Sequence, residues 1–374
     1  MRFEINKDVF LFHLIIAQKA LSTKTPNPAL TGIKIEAKDS AVALTTSNGD
    51  ISIHVKIEEG SLAIESPGAV LVPGKYLVEI VRKLESPTVT LSVVDASLLR
   101  IEADRSDITL NLYDLEDYPS LSFKENEDFV GVNVRTFKTM IRQTAFSAST
   151  IENRPILTGI SLKLEGNELK AVSTDSYRLS QKTIELEQNY TAMNVIIPSK
   201  SLEELMRVVE NNQAQIELHF HQNSVLFKYQ NILFHSRLLE GNYPETSKLI
   251  PKEFNTTIVF NKEQLLTAID RASLLSYRDG QNAIVKLNVR EDDVVEISSN
   301  SPEIGRVLEE VYPVSEVSGP ALKIAFSSKY LIEALKSFNS SEISVSFTGE
   351  IRPFVLTGEY DPKMLQLILP VKTD

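Results

Sequence analysis

Hydrophobic residues recur three times along the chain at the spacing of an amphipathic helix. Positions i, i+4 and i+7 are occupied by Phe10, Leu14 and Ala17, by Phe137, Ile141 and Thr144, and by Leu265, Ile269 and Ala272. Such positions lie on one face of a helix. Asparagine, a frequent helix N-cap, precedes each segment at Asn6, Asn133 and Asn261. The separations of 127 and 128 residues predict three copies of one unit.

Segments of alternating polar and apolar residues follow each of these helices. Residues 31–36 and 158–163 are near twins, Thr-Gly-Ile-Lys-Ile-Glu and Thr-Gly-Ile-Ser-Leu-Lys. Their period of two predicts strands with one buried face. A second helix is predicted to begin in each unit near Pro73, Pro198 and Ser327, and proline is well tolerated in a first helical turn.

The pattern predicts an α+β protein with three domains, residues 1–126, 127–253 and 254–374, each with two helices packed on antiparallel sheets. Three unrelated α+β domains are the alternative, but they would have to share the order and spacing of their elements by coincidence. A length of 374 residues fits either arrangement, because domains commonly contain about 100–200 residues.

One short segment occurs in related versions in all three units. Residues 45–51, 173–179 and 298–304 each end a β-rich run with small polar residues, after which an extended pattern resumes. This predicts a turn between two strands. The middle version differs from the others, because it has Arg178 where our alignment places Asp50 and Glu303, and it alone has an aromatic residue, Tyr177. We therefore expect the middle copy to carry a surface of its own.

Composition indicates an ordinary globular protein, with 42% hydrophobic and 24% charged residues. Cysteine is absent, so disulfides and thiolate chemistry are excluded. The first residues are too charged for a signal peptide, and no apolar run approaches the ~20 residues of a membrane span. We expect a cytoplasmic protein without a membrane partner.

Charge is distributed unevenly between the predicted helices and the rest of the chain. The helices contain 14 basic and 8 acidic residues, a net charge of +6, while the whole chain carries −11, so the strands and loops carry −17. Lysines are common on many solvent-exposed helices. The concentration of positive charge on the helices and of negative charge on the strands and loops nevertheless favours one basic surface, which would contact DNA phosphates without recognising bases.

Size limits how such a surface could surround a duplex. A domain of about 125 residues has a radius of gyration of about 14 Å and a diameter of about 36 Å. Three such domains in a ring leave a hole about 6 Å wide, whereas six leave about 36 Å, enough for a duplex roughly 20 Å wide. Encircling DNA would therefore require a dimer.

The sequence shows no catalytic or cofactor site. Nucleotide-binding glycine motifs and a nucleophile elbow are absent. His219 and His221 share a strand face if residues 218–227 are extended, but no third ligand stands at a characteristic spacing, so we expect a solvated face and no metal. The acidic pairs at residues 292–293 and 309–310 are expected to be solvated surface and not a two-metal centre.

Specific motifs identify a family that the chain resembles. Arg-Pro-Ile-Leu-Thr-Gly at 154–159, Thr-Asp-Ser-Tyr-Arg-Leu at 174–179, Asn-Tyr-Pro at 242–244 and Leu-Pro-Val at 369–371, together with the tripled unit, resemble bacterial DNA polymerase III beta subunits, the processivity sliding clamps. The resemblance covers essentially the whole chain. It implies the DNA clamp fold and a head-to-tail homodimeric ring of six domains that encircles and slides along duplex DNA.

The resemblance also implies partners and binding residues. A pocket between the second and third domains would take a short hydrophobic motif from the replicative polymerase, the ATP-driven clamp loader, other polymerases and repair proteins. The residues that match the family's pocket are Leu157, Thr174, Ser176, Tyr177, Arg178, Leu179, Pro244, Lys248, Leu249, Pro353, Leu367, Leu369, Pro370 and Val371. In this pocket Arg178 is expected to bond peptide carbonyls. Ser176 and Lys248 depart from the glycine and arginine that are frequent in the family.

Two further sets of residues follow from the resemblance. Sequence-independent contacts with DNA phosphates map to Lys24, Lys75, Arg82, Arg154 and Lys200. The dimer seam is expected to pair the region of Arg105 and Ile108 in one copy with Leu274 and Leu275 in the other. A nuclease with an acidic metal site and a repeat scaffold that does not bind DNA are the rival hypotheses. DNA cleavage that requires Mg²⁺ would favour the first, and failure to stay on circular DNA would favour the second.

Overall fold

The computed structural model of the chain describes residues 1–22, 25–58, 62–95, 97–276, 278–279 and 282–372. Contacts between Cα atoms divide the chain into two compact units. The first unit comprises Met1–Arg135 and Lys200–Leu238, and the second comprises Thr136–Ser199 and Leu239–Asp374.

Helices lie where the hydrophobic periodicity predicts them. They are α1 (Lys7–Ala17), α2 (Gly74–Lys83), α3 (Val134–Thr144), α4 (Ser199–Val208), α5 (Lys262–Ser273) and α6 (Ser328–Ser337). Asn6 caps α1, because its side chain accepts hydrogen bonds from two backbone N–H groups of the first turn. Asn261 caps α5 in the same way, by accepting a hydrogen bond from one backbone N–H group. The predicted helical positions are confirmed. None of the helices in the described ranges is both long and apolar enough to cross a membrane.

The first unit contains two antiparallel sheets. Its strands are β1 (Arg2–Asn6), β2 (Gly32–Lys38), β3 (Ala41–Ser47), β4 (Ile51–Ile57), β5 (Ala63–Ser66), β6 (Gly68–Pro73), β7 (Thr88–Asp95), β8 (Leu98–Ala103), β9 (Ser106–Asn111), β10 (Val130–Asn133), β13 (Gln215–Phe220), β14 (Ser224–Tyr229) and β15 (Ile232–Arg237). One sheet has the order β5-β1-β7-β8-β9, and the other has the order β10-β13-β14-β15-β4-β3-β2-β6. Phe3, Phe10 and Leu14 are fully buried in this unit.

The second unit also contains two sheets. Its strands are β11 (Gly159–Thr174), β12 (Arg178–Pro198), β16 (Thr256–Asn261), β17 (Arg278–Asp279), β18 (Asn282–Val289), β19 (Val295–Ser301), β20 (Gly305–Val311), β21 (Lys323–Ser327), β22 (Glu342–Phe347), β23 (Phe354–Gly358) and β24 (Met364–Ile368). One sheet runs β11-β12-β24-β23-β22-β16, and the other runs β17-β18-β19-β20 with β21 beside β18. The apolar faces of α5 and α6 contribute Ile269, Leu331 and Leu335 to a core with Phe260, Phe326 and Phe354.

Sheets run across the predicted repeats. In the first unit β15 pairs with β4, where Phe234 lies opposite Ile53. In the second unit β12 pairs with β24, where Leu179 lies opposite Leu367. The second repeat therefore shares one sheet with the first repeat and another with the third, which the periodicity of the sequence does not predict.

The turn segments confirm the predicted strand–turn–strand pattern but correct their alignment by one residue. Asn48 Oδ1 accepts hydrogen bonds from the backbone N–H groups two and three residues ahead, both at 3.0 Å. Asp175 Oδ1 makes the same two bonds at 2.9 and 3.0 Å. These Asx turns make Ile51 the counterpart of Arg178, and the alignment of Arg178 with Asp50 is wrong. Side-chain hydrogen bonds fix this register, whereas similarity among small polar residues does not.

Candidate functional site

The turn between β11 and β12 projects an aromatic side chain from the second unit. Thr174 Oγ1 donates a hydrogen bond to the carbonyl oxygen of Arg178 at 2.6 Å and accepts one from the N–H of Ser176 at 3.1 Å. Ser176 has a φ of 78°, a left-handed value that glycine adopts more easily. Tyr177 at the tip is 62% exposed. Its carbonyl oxygen accepts a hydrogen bond from the N–H of Leu369 at 2.9 Å, which holds the C-terminal segment against the turn.

Arg178 lies beneath the turn and is almost fully buried. Its Nε donates to Asp175 Oδ2 at 3.0 Å and its Nη2 donates to the carbonyl oxygen of Phe146 at 2.5 Å. Its Nη1 donates to Glu333 of α6, and its guanidinium carbon lies 4.6 Å from the ring centroid of Tyr330. With these partners inside the unit, Arg178 is placed to fix the turn on α6. It is not placed to bond a peptide carbonyl at the surface.

Four buried side chains form a small apolar cluster below the same surface. Val172 and Leu179 come from β11 and β12, and Val355 and Leu367 come from β23 and β24. Tyr243 packs against this cluster, and its hydroxyl accepts a hydrogen bond from the N–H of Thr174 at 3.0 Å. Leu179 and Leu367, two of the residues predicted for the pocket, are therefore buried side chains of this cluster.

Exposed apolar residues and a cavity lie on the same unit. Leu249 is 52% exposed and Leu369 is 37% exposed. Leu249, Lys248 and Pro353, all predicted from the sequence, line a cavity of about 460 Å³. Lys252 and Arg352 line it as well, and sequence reasoning missed them because single basic residues in loops carry no periodic signal. Glu253 contributes one carboxylate to the lining, so the cavity combines apolar side chains with a predominantly basic rim.

The remaining predicted pocket residues have various degrees of burial. Leu157 is buried in a short 3-10 turn, and Pro244 is exposed. Pro370 and Val371 are half-buried, and the N–H of Val371 donates to the carbonyl oxygen of Ala325 at 2.7 Å. The C-terminal segment is therefore anchored to β21 as well as to the turn.

A buried carboxylate supports the strand that carries Leu367. Asp361 accepts hydrogen bonds from the N–H groups of Asn339 and Ser340 at 2.9 and 2.8 Å, and from Gln143 Nε2 at 2.7 Å. Gln366 of β24 donates through Nε2 to the carbonyl oxygen of Gln143 at 2.9 Å. This network joins α3, the segment after α6, and β24, and sequence reasoning did not find it because its members are far apart in the chain.

Stability at acidic pH should report on Asp361. Burial tends to raise its pKa, but hydrogen bonds from Ser340, Asn339 and Gln143 outweigh burial and lower it. A lowered pKa in the folded chain gives stability that is present above the ordinary carboxyl value of about 3.9 and is lost as the pH falls through the folded value. We expect Asp361→Asn to cost roughly 2–3 kcal/mol at neutral pH.

Urea denaturation of the full chain, followed by circular dichroism at several pH values, tests this prediction. The difference in transition midpoint between the native chain and Asp361→Asn should shrink as the solution becomes acidic. Asp50→Asn, at an exposed turn, is the control and should change little at any pH. A difference for Asp361→Asn that stays constant with pH would contradict the prediction.

The acidic pairs and histidines offer no catalytic arrangement in the described part of the chain. Arg290 bonds Asp292 and lies 3.4 Å from Glu310, and Arg271 bonds Glu309, so these acids have cationic partners. The expected solvated face at residues 218–227 is wrong, because β13 ends at Phe220 and His219 is buried, with 1% of its side chain exposed.

Comparison with known proteins decides the family. Models of the N-terminal, central and C-terminal domains of the DNA polymerase III beta subunit match residues 1–122, 131–245 and 247–372. The chain belongs to the DNA polymerase III beta subunit family. A beta sliding clamp of Bacillus subtilis strain 168 is 43% identical and one of Staphylococcus aureus strain Mu50 is 42% identical, each with 100% of both chains covered.

Solved structures show the same fold. The chain matches the DNA polymerase sliding clamp of Bacillus subtilis with a TM-score of 0.96 at 43% identity, and the DNA polymerase III beta chain of Streptococcus pneumoniae with a TM-score of 0.96 at 39% identity, each over 100% of both chains. Three clamp-fold domains and a non-catalytic role as a processivity factor follow from membership in the family.

Residues that the sequence assigns to DNA contact in this beta subunit lie at the protein surface where they are described. Lys75 and Arg82 are exposed on α2, and Lys200 is exposed on α4. Arg154 is exposed just before a 3-10 turn. Arg82 forms an ion pair with Glu79. Lys24 lies outside the described residues. The four described side chains are accessible to phosphates.

Residues assigned to the seam between beta subunits are also at the surface. Arg105 is exposed immediately before β9, and Ile108 is half-buried within it. Leu274 is 75% exposed at the end of α5, and Leu275 beside it is half-buried. Exposed apolar patches and unpaired strand edges are both typical of interfaces.

Proposed function

We propose that two copies of this chain form a ring that encircles duplex DNA and tethers the replicative polymerase to it. The six domains of the ring would be residues 1–126, 127–253 and 254–374 of each copy. The protein would act in the bacterial cytoplasm as a topological tether, without a cofactor and without a catalytic step. Its partners would be duplex DNA, the replicative and other DNA polymerases, the clamp loader and repair proteins.

The observation that carries the ring is the way in which the repeats pair their strands. The strand after the turn in one repeat pairs with the last strand of the next repeat, β4 with β15 and β12 with β24. In the third repeat the strand after the turn is β20, and in the first repeat the last strand is β9. Within the described residues, both β20 and β9 are edge strands of their sheets.

By the same rule, β20 of one copy would pair with β9 of another copy. Two such joints would pair β9 and β20 of both chains and close the ring with two-fold symmetry. They would also cover two edge strands of each chain, and open strand edges otherwise invite aggregation. Ile304, Leu308 and Tyr312, in and beside β20, are 70%, 59% and 63% exposed. Arg271 of α5 bonds Glu309 of β20, which places Leu274, at the end of α5, near the same edge.

The peptide site would lie on the second unit around Tyr177, Leu249 and Leu369. These exposed apolar side chains could receive the Leu and Phe anchors of a short hydrophobic motif, and such anchors dominate the energy of small interfaces. The basic rim at Lys252 and Arg352 suits an acidic residue or a terminal carboxylate of the same motif.

The DNA duplex would lie against the basic helix surfaces that carry Lys75, Arg82 and Lys200. Contacts of this kind are made with phosphates, so binding is expected to be independent of sequence and to weaken steeply as salt concentration increases. A tether held by topology does not need strong contacts, because the ring cannot leave a circle without opening.

Retention on circular DNA tests the proposal. The full-length protein is loaded on nicked plasmid with its loader and ATP, and complexes are isolated by gel filtration at high salt before and after the plasmid is linearised. We expect retention on the circle and loss of the protein after cutting. Equal retention on both forms would mean ordinary charge-based binding and would contradict the ring.

A further inference from the structure

Three side chains that commonly bind metals come together in the first unit. Glu217 and His219 lie two residues apart on β13, and Glu125 comes from the segment before β10. Their ligand atoms all lie within 4.8 Å of one another. The hairpin of β13 and β14 thus receives a third ligand from a distant part of the sequence.

The imidazole of His219 is held by the backbone of one residue. His219 Nδ1 lies 3.0 Å from the N–H nitrogen of Asn126 and 3.1 Å from its carbonyl oxygen. The backbone of Asn126 can therefore form a hydrogen bond with either neutral tautomer of His219, since its N–H can donate to an unprotonated Nδ1 and its carbonyl oxygen can accept from a protonated one. When Nδ1 carries the hydrogen and donates it to the carbonyl oxygen, Nε2 has a free lone pair, and Nε2 lies 3.3 Å from Glu217 Oε2. Metal-binding histidines are commonly oriented by a hydrogen bond of this kind.

A positive charge already lies between the two carboxylates. Lys228 Nζ on β14 is 2.6 Å from Glu125 Oε2 and 3.6 Å from Glu217 Oε2. The hydrogen bond with Glu125 raises the pKa of Lys228. The side chains of Lys228, Glu125 and Glu217 are 33%, 43% and 30% exposed, so the ammonium can withdraw into solvent and an ion can enter.

We propose that Glu125, Glu217 and His219 form a zinc site in which the ion takes the place of the Lys228 ammonium. Zinc accepts imidazole nitrogen and carboxylate oxygen, and it is commonly held by three protein ligands and a water molecule. Calcium and magnesium are bound mainly by oxygen ligands, so the imidazole nitrogen of His219 favours zinc over either of them. A bound ion would fasten the segment around Asn126 to β13.

Calorimetric titration of the chelator-treated full-length protein with zinc chloride at neutral pH tests the site. We expect one ion bound per chain. Binding in Glu125→Gln should be weakened by more than about tenfold to hundredfold, the usual cost of losing an outer-shell partner of a metal ligand. Lys228→Gln should bind more tightly than the native chain, because the competing cation is removed. His219→Gln should lose the site, and a cobalt-substituted protein should lose its visible absorption in the same variant.

His221→Gln is the matched control. His221 Nε2 contacts the carbonyl oxygen of Lys124 at 2.9 Å, so this variant removes a neighbouring histidine but none of the three ligands and should bind zinc as the native chain does. If His219→Gln fails to fold, Glu125→Gln and Lys228→Gln still decide the question, since both change partly exposed side chains. No zinc uptake by the native chain, or equal uptake in both variants, would overturn the proposal.

Discussion

Replacing Leu274 and Leu275 together with aspartate should convert the dimer of this beta subunit into monomers. Leu274 is 75% exposed in the single chain and lies near the β20 edge, which we propose joins β9 of a second copy. Two carboxylates at this apolar seam would have to be buried without partners, at a cost of several kcal/mol. At 1.4 kcal/mol for each factor of ten, we expect the dimer to weaken by roughly a thousandfold or more.

Light scattering after gel filtration measures this effect directly. The variant should elute with the mass of one chain, and it should no longer be retained on circular plasmid. Ile351→Asp is a suitable control, because Ile351 is 71% exposed and lies outside the predicted seam. Intact dimers of the double variant at low micromolar concentration would show that the seam lies elsewhere.

Replacing Leu249 and Leu369 with aspartate should abolish capture of the hydrophobic motif while the dimer persists. Both side chains are exposed, so the change adds little strain to the fold. Apolar anchors at the centre of an interface commonly contribute about 2 kcal/mol or more each. Loss of both should weaken binding of a peptide with Leu and Phe anchors by at least about a hundredfold.

Fluorescence anisotropy with a labelled peptide measures the affinity, and primer extension on a long template measures the effect on polymerase processivity. Tyr360→Asp serves as the control, since Tyr360 is 72% exposed, belongs to the same unit and is not among the predicted pocket residues. The control should bind the peptide as the native chain does. Unchanged peptide affinity in the double leucine variant would rule out this surface as the motif site.

The two double variants separate the parts of the proposed function. The seam variant should still bind the peptide, because its substitutions lie outside the residues of the pocket. The pocket variant should still be a dimer by light scattering, because the pocket residues lie outside the seam. A variant that lost both properties would indicate a general loss of fold, which its thermal unfolding curve would reveal.

Some sequence predictions failed for a reason that the structure makes plain. Arg178 was expected to face a bound peptide, yet its guanidinium is surrounded by Asp175, Glu333 and Phe146. His219 was expected on a solvated face, yet it is buried against the segment at Asn126. In both cases the deciding partner is distant in sequence, and a single sequence carries no signal for such pairs.

The sequence by itself determined what depends on local spacing. Helix faces follow from the period of hydrophobic residues, helix starts follow from the capping residues Asn6 and Asn261, and the threefold repetition follows from the recurrence of both. The strand–turn–strand segments were also predictable, because short polar side chains bond their own backbone within three residues.

Only the tertiary structure decided how distant segments combine. It paired β15 with β4 and β12 with β24, left β9 and β20 at sheet edges in the described ranges, and brought Glu125 to His219. These pairings depend on which strand edges and buried faces fit together after the chain has folded. Period and spacing describe each segment alone, so they fix the elements but not the partners of those elements.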